Sequence, residues 1–237
     1  MARRDIAGIF KSAVLGAALV GGLALPAQAD ELELSATTAL TTDYVFRGIS
    51  QTNQNPAIQG SLDAAYGIFY AGVWGSNITF ADSLELDWYG GIASEWNGIG
   101  YDVGVIWYTY PGVSSTDYVE IKTGLSYGFT DNFTAGVTNY WSPDLKADAL
   151  EAGAEYTFGT IMNFFDPSVS GLIGWQWFDA GGDYTYWNVG LTLGFMENWA
   201  VDVRYWDTDI SDASCGAITG GPDDCSGRVV GTLSASF

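Results

Sequence analysis

Eight carboxylates stand at alternate positions of segments otherwise rich in apolar and small residues: Asp63, Glu85, Asp87, Asp102, Glu120, Glu151, Glu155 and Asp202. Three cations share the pattern, Lys122, Arg204 and Arg228. Side chains of this kind could act as acid and base, hold a metal, or set the field of a polar channel. The acid–base reading rests on pairs such as Glu85 and Asp87, but same-face acids two residues apart are equally expected of any polar wall. The chain has no histidine, which removes serine–histidine and aspartate–histidine machinery. An enzyme is not expected, nor is a cofactor. A water-filled passage that concentrates cations needs only the acids themselves.

Two further clusters have bland readings that outweigh the sharper ones. Cys215 and Cys225 lie ten residues apart; two thiols without histidine make a poor metal site. In an exported protein they are expected to form a disulfide, which removes roughly 2 to 3 kcal/mol of unfolded-chain entropy for so short a loop. Asp207, Asp209, Asp212, Asp223 and Asp224 surround them. Such oxygens could hold a divalent cation against lipopolysaccharide phosphates, but the spacing is not that of a calcium loop, and a solvated acidic loop is preferred.

The elements that must position the carboxylates follow from a period of two. The chain divides into twelve segments near 32–43, 56–66, 69–79, 84–94, 99–109, 117–129, 132–142, 148–158, 168–178, 185–195, 199–207 and 228–237, each about the nine to eleven residues that a tilted membrane strand requires. Several have a clean apolar face, as in Ile99, Tyr101, Val103, Val105 and Trp107. A base facing hydrocarbon would cost several kcal/mol and an acid somewhat less, so the charged face belongs to the lumen. Small interior residues, among them Ser61, Gly104, Gly124, Ser126, Gly153 and Gly190, favour open space, whereas Tyr89, Tyr108, Tyr184, Tyr186 and Trp206 would narrow it. The expectation is an all-β, 12-stranded antiparallel transmembrane barrel, with a soluble β-sandwich as the alternative.

Aromatic residues gather at the two ends of the segments. Tyr66, Phe129, Phe133, Phe158, Phe195, Trp199 and Phe237 fall at one end, and Trp107, Trp141, Trp177, Trp187 and Tyr205 at the other, as in the two girdles of a membrane barrel. The pattern Gly-Phe-x-acid-Asn-aromatic recurs around Asp131-Asn132 and Glu197-Asn198 and predicts tight hairpins. These lie at the periplasmic end with both chain termini. The connection 159–167 is long for that end. The last segment ends on Phe237, expected to address the chain to the barrel-assembly machinery, and pairs with the first to leave no free sheet edge.

The N-terminus carries Arg3, Arg4 and Lys11, runs apolar from Ala13 to Leu25 and reaches Ala27-Gln28-Ala29, the three regions of a secretory signal peptide spanning 1–29. Its removal leaves 5 of the 8 basic and 27 of the 28 acidic residues. Nucleic acid is an unsuitable partner for such a chain. Outer-membrane lipid, lipopolysaccharide and small solutes are the expected ones.

The stretch Thr41-Thr-Asp-Tyr-Val-Phe-Arg-Gly-Ile-Ser-Gln-Thr, with Asn55-Pro-Ala-Ile-Gln-Gly-Ser-Leu-Asp and Ala71-Gly-Val-Trp-Gly-Ser-Asn, resembles the TorF family of Gram-negative porins. The resemblance implies an outer-membrane porin and supplies no substrate or catalytic residue. Within the first stretch, Asp43, Tyr44, Arg47 and Gly48 enter the first external loop. Arg47 is expected to pair with nearby carboxylates, or Gly48 to permit a sharp turn, in preference to an inward fold that shapes a constriction. The resulting expectation is a narrow passive pore for small polar or cationic solutes, with a non-conducting barrel that works through its loops as the alternative.

Overall fold

The computed structural model describes residues 29–80 and 84–237. The expected signal peptide, apart from its last residue Ala29, lies outside them. Fourteen strands are described: β1 (Ala29–Thr41), β2 (Val45–Phe46), β3 (Ile49–Ser50), β4 (Ala57–Gly67), β5 (Phe69–Asn77), β6 (Leu84–Trp96), β7 (Ile99–Thr109), β8 (Tyr118–Gly128), β9 (Phe133–Ser142), β10 (Ala147–Thr157), β11 (Phe165–Phe178), β12 (Tyr184–Phe195), β13 (Trp199–Thr208) and β14 (Arg228–Ser236). All but β2 and β3 form one closed antiparallel barrel of twelve strands, in which β1 pairs with β14 on one side and β4 on the other. The expected strands are present with ends shifted by a few residues. The largest shifts are at the starts of β1, at Ala29 rather than 32, and of β11, at Phe165 rather than 168, the second of which shortens the connection that had looked too long.

Closure is made by the last strand. Thr37 stands opposite Ser236 and Thr41 opposite Thr232, and Phe237 and Ala36 exchange both backbone hydrogen bonds at 2.9 Å. The two recurrent turns brace neighbouring strands in the same way. The Asn132 carbonyl accepts from Thr157 N at 2.9 Å, and its side-chain amide donates to the Thr157 carbonyl at 2.7 Å. Asn198 does the same with Ser236, at 2.6 Å. The asparagine of the motif thus satisfies a strand end that would otherwise lack a partner.

Outside, the wall is apolar: Leu34, Leu62, Leu191 and Val229 are each more than 60% exposed. Such a belt is stable only against hydrocarbon, and it is the outer surface of a transmembrane barrel. Its rims carry exposed aromatics, with Tyr66, Phe129, Phe158, Trp199 and Phe237 at the end that holds the C-terminus and Trp107, Trp141, Trp177 and Trp187 at the opposite, loop end. The loop end also holds the long connections, a short helix α1 (Asp212–Thr219) and the hairpin β2–β3. Neither the helix nor the hairpin is visible in the period-two pattern.

Candidate functional site: the lumen and its inward loop

The alternation that turns apolar side chains outward turns the carboxylates inward. Asp63, Glu85, Asp87, Asp102, Glu120, Glu151, Glu155 and Asp202 occupy the inner face, from β4, β6, β7, β8, β10 and β13. They fall into two levels. Glu85, Asp87, Glu120 and Glu151 lie towards the loop end, and Asp63, Asp102, Glu155 and Asp202 towards the terminal end.

The loop-end level is closed by chain that leaves β1. After Thr41 the backbone turns into the barrel, Thr41 donating its hydroxyl to the Asp43 carbonyl at 2.8 Å. Asp43 then accepts from Ser50 at 2.6 Å and from Thr52 at 2.8 Å, which closes the base of the hairpin β2–β3. At the tip, Arg47 and Gly48 both have positive φ, 47° and 82°, the geometry of a two-residue hairpin turn of the primed type. Gly48 has no room for a side chain as well, because Thr208 and Tyr186 crowd the position of a Cβ.

The hairpin points its side chains at three parts of the wall. Tyr44 donates to Glu85 at 2.8 Å and packs edge-on against Trp74 at 5.2 Å. Val45 is fully buried among Leu172, Tyr186, Trp206 and Val230. Arg47 crosses the lumen to β8, where its two terminal nitrogens reach both oxygens of Glu120 at 2.8 Å. The same guanidinium donates to Gln176 Oε1 at 3.0 Å and lies 4.8 Å and 4.9 Å from the ring centres of Phe46 and Tyr140. Tyr108 donates to Glu120 Oε2 at 3.0 Å. Arg47 therefore pairs with a carboxylate 73 residues away on the far wall, not with a neighbour in sequence, and the loop folds inward. The expectation of local pairing is corrected: the acids beside it in the chain are already engaged, Asp43 by Ser50, Thr52 and Arg228.

Burial pushes the Tyr44 phenol well above its ordinary range, and the Glu85 carboxylate beside it adds to the effect, so Tyr44 is a neutral donor. For Arg47, burial is the largest effect and works against the charge, but the Glu120 carboxylate together with Tyr186 and Tyr108 outweighs it and holds the guanidinium above its ordinary range. Elsewhere on this level Tyr186 donates to Glu151 at 2.7 Å. Asp87 is buried with its Oδ1 lacking a hydrogen-bond partner among the described residues.

The terminal-end level is built from the wall alone. Lys122 pairs with Asp102 at 2.6 Å, and Tyr70 donates to the other oxygen of Asp102 at 2.7 Å. Arg204 chelates Asp202, two residues before it on β13, at 3.0 and 3.2 Å, and also donates to Asn188 and Ser170. Asp63 accepts from Tyr89 and Ser61, and Glu155 is only partly buried. Two interior glycines expected to leave open space do not. Tyr70 lies over Gly104 and Arg204 over Gly190, whose added Cβ would come within 2.8 Å of the guanidinium carbon. The absent side chains make room for long ones from neighbouring strands.

Arg228, the remaining cation of the set, sits at the loop end and clasps two loops. It donates to Asp43 at 3.0 Å and to the carbonyls of Ser226 and Asp223 in the last loop. That loop is stapled by the Cys215–Cys225 disulfide, and its Asp224 carbonyl accepts from Ser50 N at 2.8 Å. The disulfide loop thus braces the inward hairpin. Sequence reasoning missed Tyr44–Glu85, Gln176 and Tyr140. The available signal was Arg-Gly flanked by Val45-Phe46 and Ile49, a short hairpin in itself.

Solved structures share this architecture. The "KdgM porin" superposes with a TM-score of 0.61 at 11% identity, covering 86% of this chain and 99% of that one. The "NanC porin" does so with a TM-score of 0.55 at 11% identity, again over 86% and 99%. At that identity the likeness is one of fold. No curated protein matches the sequence. A family model described as "Bacterial protein of unknown function (Gcw_chp)" matches residues 26–237, and the chain belongs to that family.

Proposed function

We propose that the protein is an outer-membrane pore of a Gram-negative bacterium, passive and non-enzymatic, passing small polar or cationic solutes through an acidic lumen narrowed by its first loop. One observation carries the reading. Of eight inward carboxylates, Glu120, Asp102 and Asp202 have a cationic partner, while Asp63 accepts from the Tyr89 and Ser61 hydroxyls and the partly buried Glu155 has no ion pair among the described residues. The lumen therefore keeps a net negative field, which raises the local concentration of cations. Oligogalacturonate, named with one fold neighbour, is a poly-carboxylate, and this field argues against carrying it over.

In the same reading residues 1–29 are a cleaved signal peptide, Phe237 addresses the barrel-assembly machinery, the terminal end faces the periplasm, and lipopolysaccharide surrounds the loop end. The TorF resemblance of the 41–52 stretch belongs here too, since that stretch forms the constriction. The purified protein in a planar bilayer under a KCl gradient tests the reading. A reversal potential of cation-selective sign is expected; anion selectivity overturns it.

A second reading, a non-conducting barrel that acts through its loops, is favoured by the complete burial of Val45, Tyr186 and Trp206 beneath the first loop. Its signature is heat-modifiable gel mobility with a silent bilayer.

A further inference from the structure

The tip of the inward hairpin is occupied against local preference. A primed two-residue turn favours Asn, Asp or Gly where φ is positive, yet the first tip position, at φ 47°, is Arg47. A long β-unbranched side chain gains nothing there from the backbone, so the reason lies where the side chain ends. It ends in a seat assembled from three wall strands. Glu120 of β8 presents both oxygens at 2.8 Å, Gln176 of β11 presents Oε1 at 3.0 Å, and Tyr140 of β9 presents its ring face at 4.9 Å.

Glu120 and Gln176 are held by groups of the wall. Tyr108 holds Glu120 at 3.0 Å, and Gln176 Nε2 donates to the Asp148 carbonyl at 3.0 Å, which fixes its carbonyl oxygen towards the lumen. A forked pair of acceptors, a third acceptor and an aromatic face match a planar guanidinium better than a spherical ammonium. Phe46, the other ring on the guanidinium, belongs to the hairpin and would leave with it.

We propose that this seat is a binding site for the guanidinium group of a free solute, and that Arg47 occupies it as a tethered competitor. Loop and solute then exchange on one clamp: a solute that takes Glu120 releases the hairpin tip, and departure of the solute lets Arg47 return. The inference rests on the pore reading for delivery of the solute, whereas occupancy of the seat is measurable without transport.

The test is chemical rescue. In Arg47→Ala the heat-induced gel-mobility transition is expected to fall by about 10 °C, because Glu120 is left buried without its cation. Millimolar guanidinium chloride should recover most of that loss, while equal NaCl and urea, the neutral isostere, should not. In Arg47→Ala/Glu120→Gln the guanidinium effect should vanish. Rescue no larger than that of NaCl, or rescue that persists without the Glu120 charge, overturns the proposal. Should Arg47→Ala not fold, Arg47→Lys keeps the charge and loses the fork: stabilisation by guanidinium beyond NaCl supports the site, and its absence refutes it. Rescue in a barrel that is silent in bilayers would keep the seat and remove the transport reading; conduction without rescue would do the reverse.

Discussion

Two arginines chelate carboxylates inside this barrel, and they do opposite things. Arg204 bonds Asp202 two residues away on its own strand, and its partners Asn188 and Ser170 lie on the adjoining β12 and β11. It fastens wall to wall and needs no loop. Arg47 sits at the tip of a hairpin, spans the lumen and bonds Glu120 on the far side. The chemistry is the same, a fork on a carboxylate, but one pair stiffens the cylinder while the other obstructs it. The lesson is that charge inside a barrel is not one property. Its effect depends on whether the two partners share a wall or face each other across the passage.

The contrast can be broken by experiment, with the largest effect at the tip. Arg47→Ala should raise single-channel conductance several-fold by freeing the hairpin, and should cost about 3 to 5 kcal/mol of stability, since a buried carboxylate loses its only cation. Arg204→Ala should cost about 3 kcal/mol, read from the denaturant midpoint. It should also shift selectivity further towards cations, because Asp202 keeps its charge, and should raise conductance less than the tip variant. Cys215→Ser/Cys225→Ser removes the brace behind the hairpin. A loss of about 2 to 3 kcal/mol, with more frequent openings, is expected, and dithiothreitol on the unmodified protein should reproduce it. The smallest effect belongs to Asp63→Asn, which should leave stability within about 0.5 to 1 kcal/mol, a neutral amide still accepting the Tyr89 hydroxyl, while the reversal potential moves towards zero.

Much of this architecture was legible in the residues, for a physical reason. A wall with hydrocarbon on one side forces a strict period of two, so Val103 and Val105 must face out and Asp102 in. Strand β7 accordingly begins and ends at the expected 99 and 109. The asparagine turns were legible because their partners are set by register. The first loop was not. Nothing within a few residues of Arg47 reveals Glu120, since the pair needs six wall strands, β1 and β4 to β8, side by side to bring β8 opposite β1. Interior glycines misled for a related reason. Gly104 and Gly190 read as empty space along the chain, but their volume is filled from other strands, by Tyr70 two strands away and by Arg204 directly opposite on the next.

The Arg47–Glu120 pair holds the first loop across an acidic lumen. Conductance of the wild-type and Arg47→Ala barrels, recorded side by side in planar bilayers under one KCl gradient, tests it most directly. A several-fold larger conductance is expected for Arg47→Ala, with both reversal potentials of cation-selective sign. Equal conductances, or anion selectivity in either barrel, would contradict it.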